Sequence, residues 1–177
     1  KGEFGSRQYV FFRGKPNNEA GLNTILKAAQ LLEGSVNFII AAPDNAFESQ
    51  SNNVLIINTY LPWSDIAALY REAYVVLGQM SDLDRITRTI PHKFFEAAYF
   101  GKAYLTAFSI PLRNLTNKGI FEIKGGDAID LANKIKFLLD NPNLVAQFEK
   151  DLKQLYENKL APNFLAEQIL EIAREIN

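Results

Sequence analysis

Short apolar, β-rich runs alternating with segments of helical periodicity constrain this chain more than any other feature. The runs lie at Gln8–Arg13 (QYVFFR), Val36–Ala42 (VNFIIAA), Val54–Tyr60 (VLIINTY), Tyr74–Leu77 (YVVL), Lys102–Ala107 (KAYLTA) and Gly119–Ile123 (GIFEI). Between them, Leu22, Ile25, Leu26, Ala29 and Leu32, and then Ile66, Leu69, Tyr70 and Ala73, recur at helical spacing. Strands that alternate with helices predict a mostly parallel sheet with helices on both faces, a three-layer α/β domain. The YVVL run is nearly all apolar, as a central strand covered on both sides requires. Such sheets bind ligands at the carboxyl ends of their strands, here the loops after Arg13, Ala42, Tyr60, Leu77 and Ala107.

From Asp127 onward the pattern is wholly helical. Asp127 is an N-cap with Asp130 three residues on, and Ala128, Leu131, Ala132, Ile135, Leu138 and Leu139 form one stripe. Asn141-Pro142 opens a second helix with Leu144, Val145, Phe148, Leu152 and Leu155. Pro162 precedes a third, with Leu165, Ile169, Ile172, Ala173 and Ile176. The stripes predict that all three helices of this tail pack on the core. Residues 8–177 read as one domain, and the unpatterned opening KGEFGSR as a linker or tag left from something longer.

Composition removes several function classes. With 177 residues and 47% hydrophobic content the chain can bury a full core. A net charge of −1, with no dense Lys/Arg run, offers no general attraction to nucleic acid. There is no cysteine and a single histidine, so disulfides, thiolate chemistry and a zinc cluster are excluded. Asp82 and Asp84 lie in an irregular polar stretch and are not read as a metal site. No apolar run is long enough to span a membrane and no signal peptide is visible, so the chain reads as cytoplasmic.

The chemistry concentrates in Thr89–Thr106 (TIPHKFFEAAYFGKAYLT). Pro91 suits a first helical turn and Gly101 a left-handed stop, giving ten residues of helix. The free N–H groups of that first turn and the positive end of the macrodipole attract an anion, and Lys93 and Arg88 add full charges beside them. Glu96 lies one to two turns further in, among Phe94, Phe95, Ala97, Ala98 and Tyr99, where a carboxylate requires a partner. Lys93, Arg88 and His92 are the local choices. His92 is otherwise a helix-start residue in contact with solvent or carboxylate. Trp63 and Tyr60 either stack on a base or pack the domain edge.

Three stretches together resemble the C-terminal, donor-binding domain of group 1 nucleotide-sugar glycosyltransferases, enzymes built from two Rossmann-like domains in the GT-B fold. FFRGKPNNEAG is similar to the family's glycine-arginine turn, with Gly14 at the glycine and Lys15 at the basic residue that contacts donor phosphate. YLPWSDIAALYREAYVVL looks like the segment whose first residues, Tyr60 and Leu61, touch the nucleobase. IPHKFFEAAYFGKAYLT is close to the proline, lysine, glutamate, glycine-lysine pattern of polysaccharide-building members, whose glutamate binds the donor ribose, here Glu96.

The resemblance implies a nucleoside-diphosphate sugar as donor substrate, with no further cofactor and no metal. It implies contacts from Gly14, Tyr60, Leu61, Arg88, Ile90, Pro91, His92, Lys93 and Glu96, with Lys15 and Glu96 carrying catalysis. Lys15, Arg88, Lys93 and the helix N-terminus would cradle the diphosphate, so transfer rests on positioning and on stabilising the leaving group rather than on a nucleophile. The reading is of a retaining enzyme in polysaccharide or glycolipid synthesis whose acceptor domain is missing. It would work in the cytoplasm at the inner face of the membrane, meeting the membrane only through a lipid-linked acceptor. The chain departs from the family at Ala20, where a second basic residue is frequent, and at Arg88, where an earlier glutamate is frequent. The turn after the second strand reads AAPDNA instead of being glycine-rich. These departures keep a noncatalytic glycosyltransferase-like module open as the alternative. A nucleotide-sugar epimerase fits poorly with one histidine, and a receiver-type domain fits poorly with Arg13-Gly14-Lys15 after the first strand.

Overall fold

The computed structural model describes residues 8–43, 48–49 and 51–175. The opening seven residues, most of the turn after the second strand and Ile176 lie outside the described residues. Six strands, β1 (Tyr9–Arg13), β2 (Asn37–Ala41), β3 (Val54–Ile57), β4 (Val75–Leu77), β5 (Tyr104–Ala107) and β6 (Ile120–Ile123), form one sheet in the order β3-β2-β1-β4-β5-β6. Every pairing is parallel. The helices are α1 (Leu22–Leu31), α2 (Trp63–Glu72), α3 (His92–Phe100), α4 (Ile110–Leu115), α5 (Ala128–Asp140), α6 (Pro142–Leu155) and α7 (Pro162–Glu175). None is long and apolar enough to cross a membrane.

The two-residue period of β1 shows why its sequence is continuously apolar. Val10 and Phe12 point into a core shared with Ile25, Ala28 and Ala29 of α1 and Leu131, Ile135 and Leu138 of α5. Tyr9 and Phe11 point the other way, toward Ile66 and Tyr70 of α2, Phe94 and Ala97 of α3 and Leu152 of α6. Both faces are dry, so no position on the strand can be polar until Arg13 at its carboxyl end.

Two glycines are demanded by geometry. Gly21 caps α1 in the left-handed region (φ 66°), and a Cβ there would lie 2.5 Å from backbone atoms of Met80 and Ser81. Gly101 closes α3 in the same region (φ 61°). At the start of α3, Pro91 is not the first helical residue. Its ψ of 135° makes it the cap, and the helix runs nine residues rather than ten. Asp127 caps α5 as its sequence predicts, accepting from the N–H groups of Ile129 and Asp130.

The structure adds three elements to the sequence reading, one of them a π-helical turn at Tyr156–Leu160 between α6 and α7. A 3₁₀ turn at Asp84–Arg88 organises the polar stretch after β4, and α4 begins where Ser109 accepts from Leu112 N–H and donates to the Thr89 carbonyl at 2.7 Å. It also corrects the expectation for the last helix. The stripe of α7 is not core: Leu165, Ile169 and Ile172 are 45%, 67% and 57% exposed. The periodicity of α7 defines an apolar face, but among the described residues no element lies over it.

Candidate functional site

Sheet order reverses between β1 and β4, because β1 is followed outward by β2 on one side while β4 and β5 extend the other. At such a switch point the loops leaving neighbouring strands run apart and open a crevice at their carboxyl ends. A cleft of about 290 Å³ lies beside this point. Arg13, Gly14 and Lys15 reach it from the end of β1, and Ala41 and Pro43 from the end of β2. Thr59, Tyr60 and Leu61 reach it from the loop after β3, and His92, Lys93 and Glu96 from the first turns of α3. Lys15 and Glu96 thus share one cleft, although they are far apart in the chain.

Glu96 has partners, though not all of those its neighbours in sequence offered. Its Oε1 accepts from Arg13 Nη1 at 2.5 Å and its Oε2 accepts from the Tyr70 hydroxyl. His92 Nδ1 lies 3.6 Å from Oε1, so the expected i,i+4 neighbour is present as well. Lys93 and Arg88 do not fill the role. Tyr70 is fully buried, stacked on Phe100 with ring centroids 5.0 Å apart and edge-on to Phe11 at 5.0 Å. Burial, reinforced by the Glu96 carboxylate, raises its phenol well above the ordinary tyrosine range, so it donates its proton to Glu96 at any working pH.

Lys93 reaches from the first turn of α3 to the carboxyl end of β1. Its Nζ sits 4.9 Å from the centre of the Phe12 ring. Gly14 passes directly beneath: a Cβ built there would lie 2.7 Å from Lys93 Cε and 2.8 Å from Nζ. Burial pushes the ammonium down to about 8, with Glu96 opposing the shift and Arg13 adding to it. Among the described residues no carboxylate oxygen lies within ion-pair distance of Lys93. Pro91 supplies no side-chain acceptor at the helix start, so first-turn donors and a cation coincide at the cleft.

Other residues assigned from the sequence lie elsewhere. Arg88 is exposed and ion-paired with Asp84 at 2.6 Å, one 3₁₀ turn back, and does not line the cleft. Ile90 packs against the core on the α2 and α3 side, and Pro91 is buried at the cap. Arg85 pairs with Glu19 at 2.6 Å, outside the cleft. Trp63 sits over Phe100 at 6.1 Å, at the domain edge. Ala20 is 1% exposed and its N–H bonds Asn17, so that slot is part of the packing.

Sequence reasoning passed over Arg13 and Tyr70. Arg13 carried a signal: it is the one charge closing a fully apolar strand at the end where ligands bind. Tyr70 carried none, since an aromatic in the stripe of a helix reads as core.

The cleft can hold an anion against Lys15, Lys93 and the α3 N-terminus, a hydroxyl-bearing group against Glu96, and a flat group between Tyr60, Leu61 and Pro43. No family model matches the chain, and no curated protein matches it in sequence. Solved structures do match in fold. A glycosyltransferase from Rickettsia africae ESF-5 superposes with a TM-score of 0.76 at 15% identity, over 96% of this chain and 48% of that one. Anabaena Alr3699/HepE, crystallised in complex with UDP, gives 0.79 at 16% identity, over 98% and 50%. The C-terminal domain of the group 1 family glycosyl transferase LpcC from Francisella tularensis gives 0.69 at 12% identity, over 87% of each chain. The chain spans about half the length of the Rickettsia and Anabaena proteins. What these structures share with it is architecture: this chain has the Rossmann-like fold of the C-terminal half of a group 1, GT-B glycosyltransferase.

Proposed function

We propose that this chain is the donor-binding half of a glycosyltransferase and holds a nucleoside-diphosphate sugar in the switch-point cleft. The observation that carries the reading is the meeting of Lys15, Lys93 and Glu96 in one crevice at the carboxyl ends of a parallel sheet. The same architecture occurs in an Anabaena protein crystallised with UDP-glucose.

The chemistry follows from the parts. Transfer of a glycosyl group leaves a diphosphate carrying an added negative charge. Lys15, Lys93 and the α3 N-terminus stabilise that charge where it develops, in a partly dry site where each donor acts more strongly than in water. Glu96 accepts from the ribose hydroxyls and fixes the nucleotide, so that the anomeric carbon is presented to an acceptor. Tyr60 and Leu61 flank the base. The acceptor site belongs to the other half of the enzyme. We assign the whole protein to the retaining class, acting on a polysaccharide or lipid-linked acceptor at the cytoplasmic face of the membrane.

A thermal-shift screen against UDP-, GDP-, ADP- and dTDP-sugars tests the reading. A ligand that binds only the folded chain raises its melting temperature, so one nucleotide class raises it and the others do not. Glu96→Ala then lowers affinity for that nucleotide by roughly 1–3 kcal/mol, the loss expected for a buried hydrogen-bond partner. The isolated chain binds without catalysing transfer. A flat screen, or an unchanged titration for Glu96→Ala, rules the assignment out.

A further inference from the structure

Glu96 is held from two sides by residues of other elements. Arg13 ends β1 and donates Nη1–H to Oε1 at 2.5 Å, while Tyr70, on α2, donates its hydroxyl to Oε2. The Tyr70 ring is immobilised between Phe100 and Phe11 and has no exposed surface, so its hydroxyl is a fixed point of the fold. A glutamate side chain has three rotatable bonds. Pinned at both oxygens, this one keeps a single orientation in a cleft that it lines with only 11% of its side chain exposed. Each carboxylate oxygen has two lone-pair positions, so one donor apiece leaves acceptor capacity for an incoming hydroxyl pair. Arg13 is itself at the cleft and 34% exposed.

We propose that Arg13 and Tyr70 are positioning residues that fix Glu96 as an acceptor for the vicinal diol of a ribose, and so make the cleft select ribonucleotides over deoxyribonucleotides. The proposal rests on the nucleotide-binding reading above. A carboxylate free to rotate follows whatever donor is present and discriminates weakly. One held at a fixed point rewards the ligand whose hydroxyls meet it, and a ligand lacking one leaves that acceptor unfilled. A purely structural ion pair would influence folding stability without altering the preference between two ligands that differ by one oxygen.

The test is calorimetric titration of the wild-type chain and the Arg13→Gln, Tyr70→Phe and Glu96→Gln variants with UDP, GDP and ADP and with their 2′-deoxy counterparts. Melting temperatures are recorded first. Wild type binds its preferred ribonucleotide about tenfold tighter than the deoxy form, the factor of one well-made hydrogen bond. Arg13→Gln and Tyr70→Phe each reduce that ratio by at least about threefold, and combining Arg13→Gln with Glu96→Gln reduces it no further than Glu96→Gln alone, because the residues act through one carboxylate. A wild-type ratio in either Arg13→Gln or Tyr70→Phe overturns the proposal while leaving nucleotide binding intact. Failure of wild type to bind any of the ligands overturns the nucleotide-binding reading, and this proposal with it. If Arg13→Gln does not fold, Tyr70→Phe, which removes one oxygen from a packed ring, decides the matter by the same ratio.

Discussion

Gly14 and Lys93 occupy adjoining space: a methyl group on Gly14 would stand 2.7 Å from Lys93 Cε and 2.8 Å from its Nζ. The atoms in the way are the far end of a flexible side chain. The backbone is not as forgiving, because Gly14 has a φ of 157° that L residues rarely adopt. Gly14→Ala should therefore cost about 1–3 kcal/mol of stability and push the ammonium off its place over Phe12. Nucleotide affinity should fall by about 1.5–3 kcal/mol, the range for a hydrogen bond to a charged group. Paired melting and titration experiments check this, and unchanged affinity would show that Lys93 does not serve the ligand from its present position.

Lys93 also sets a pH dependence. Its ammonium titrates near 8 in the fold, against 10.5 for an ordinary lysine, because burial opposes the charge. Below about 8 both folded and unfolded chains hold the proton and pH has no effect through this group. Between about 8 and 10.5 the unfolded chain holds a proton that the folded chain has released, so stability rises with pH. Lys93→Met should accordingly melt higher than wild type below pH 8, with the gap closing toward pH 10.5. A diphosphate favours the charged form, so nucleotide affinity should weaken above pH 8 and binding near pH 9 should take up a proton. Calorimetry in buffers of different ionisation enthalpy measures that uptake; its persistence in Lys93→Met would assign it to another group.

Gly21 tests the joint between α1 and the loop after β4. An alanine there combines a left-handed backbone, about 1–2 kcal/mol, with overlap against Met80 and Ser81 main chain that cannot swing aside, about 1–3 kcal/mol. Gly21→Ala should lose about 2–5 kcal/mol in urea unfolding. A loss below about 1 kcal/mol would mean that the loop retreats freely.

The exposed stripe of α7 gives the opposite expectation. Ile169→Ser and Ile172→Ser should each alter the stability of this chain by no more than about 0.5 kcal/mol. Ile135→Ala on α5, at a fully buried position, should cost about 2–5 kcal/mol. Comparable losses at the two kinds of site would place α7 in the core after all.

Much of the architecture was legible before any coordinates, because periods of two and of 3.6 residues are local properties. Each expected strand is present, trimmed by one to three residues at its ends, and Asp127, Pro162 and Gly101 mark helix boundaries where their chemistry predicts. The loops at the ligand end followed from alternation alone, whereas the grouping of Gly14, Lys15, Tyr60, Leu61, Lys93 and Glu96 came from the resemblance to glycosyltransferase donor domains. The sequence by itself therefore determined the layers, the direction of the strands and the end of the sheet where the cleft opens. Only the tertiary structure decided who meets whom there. Arg13 and Glu96 are 83 residues apart, and their contact depends on strand order and on the depth at which α3 packs, which no local pattern encodes. Arg88 was lost to Asp84 for the converse reason: a 3₁₀ turn brought a nearer partner within reach. The exposed face of α7 has the same origin, since amphipathic spacing gives a helix an apolar side but cannot say what, if anything, lies over it.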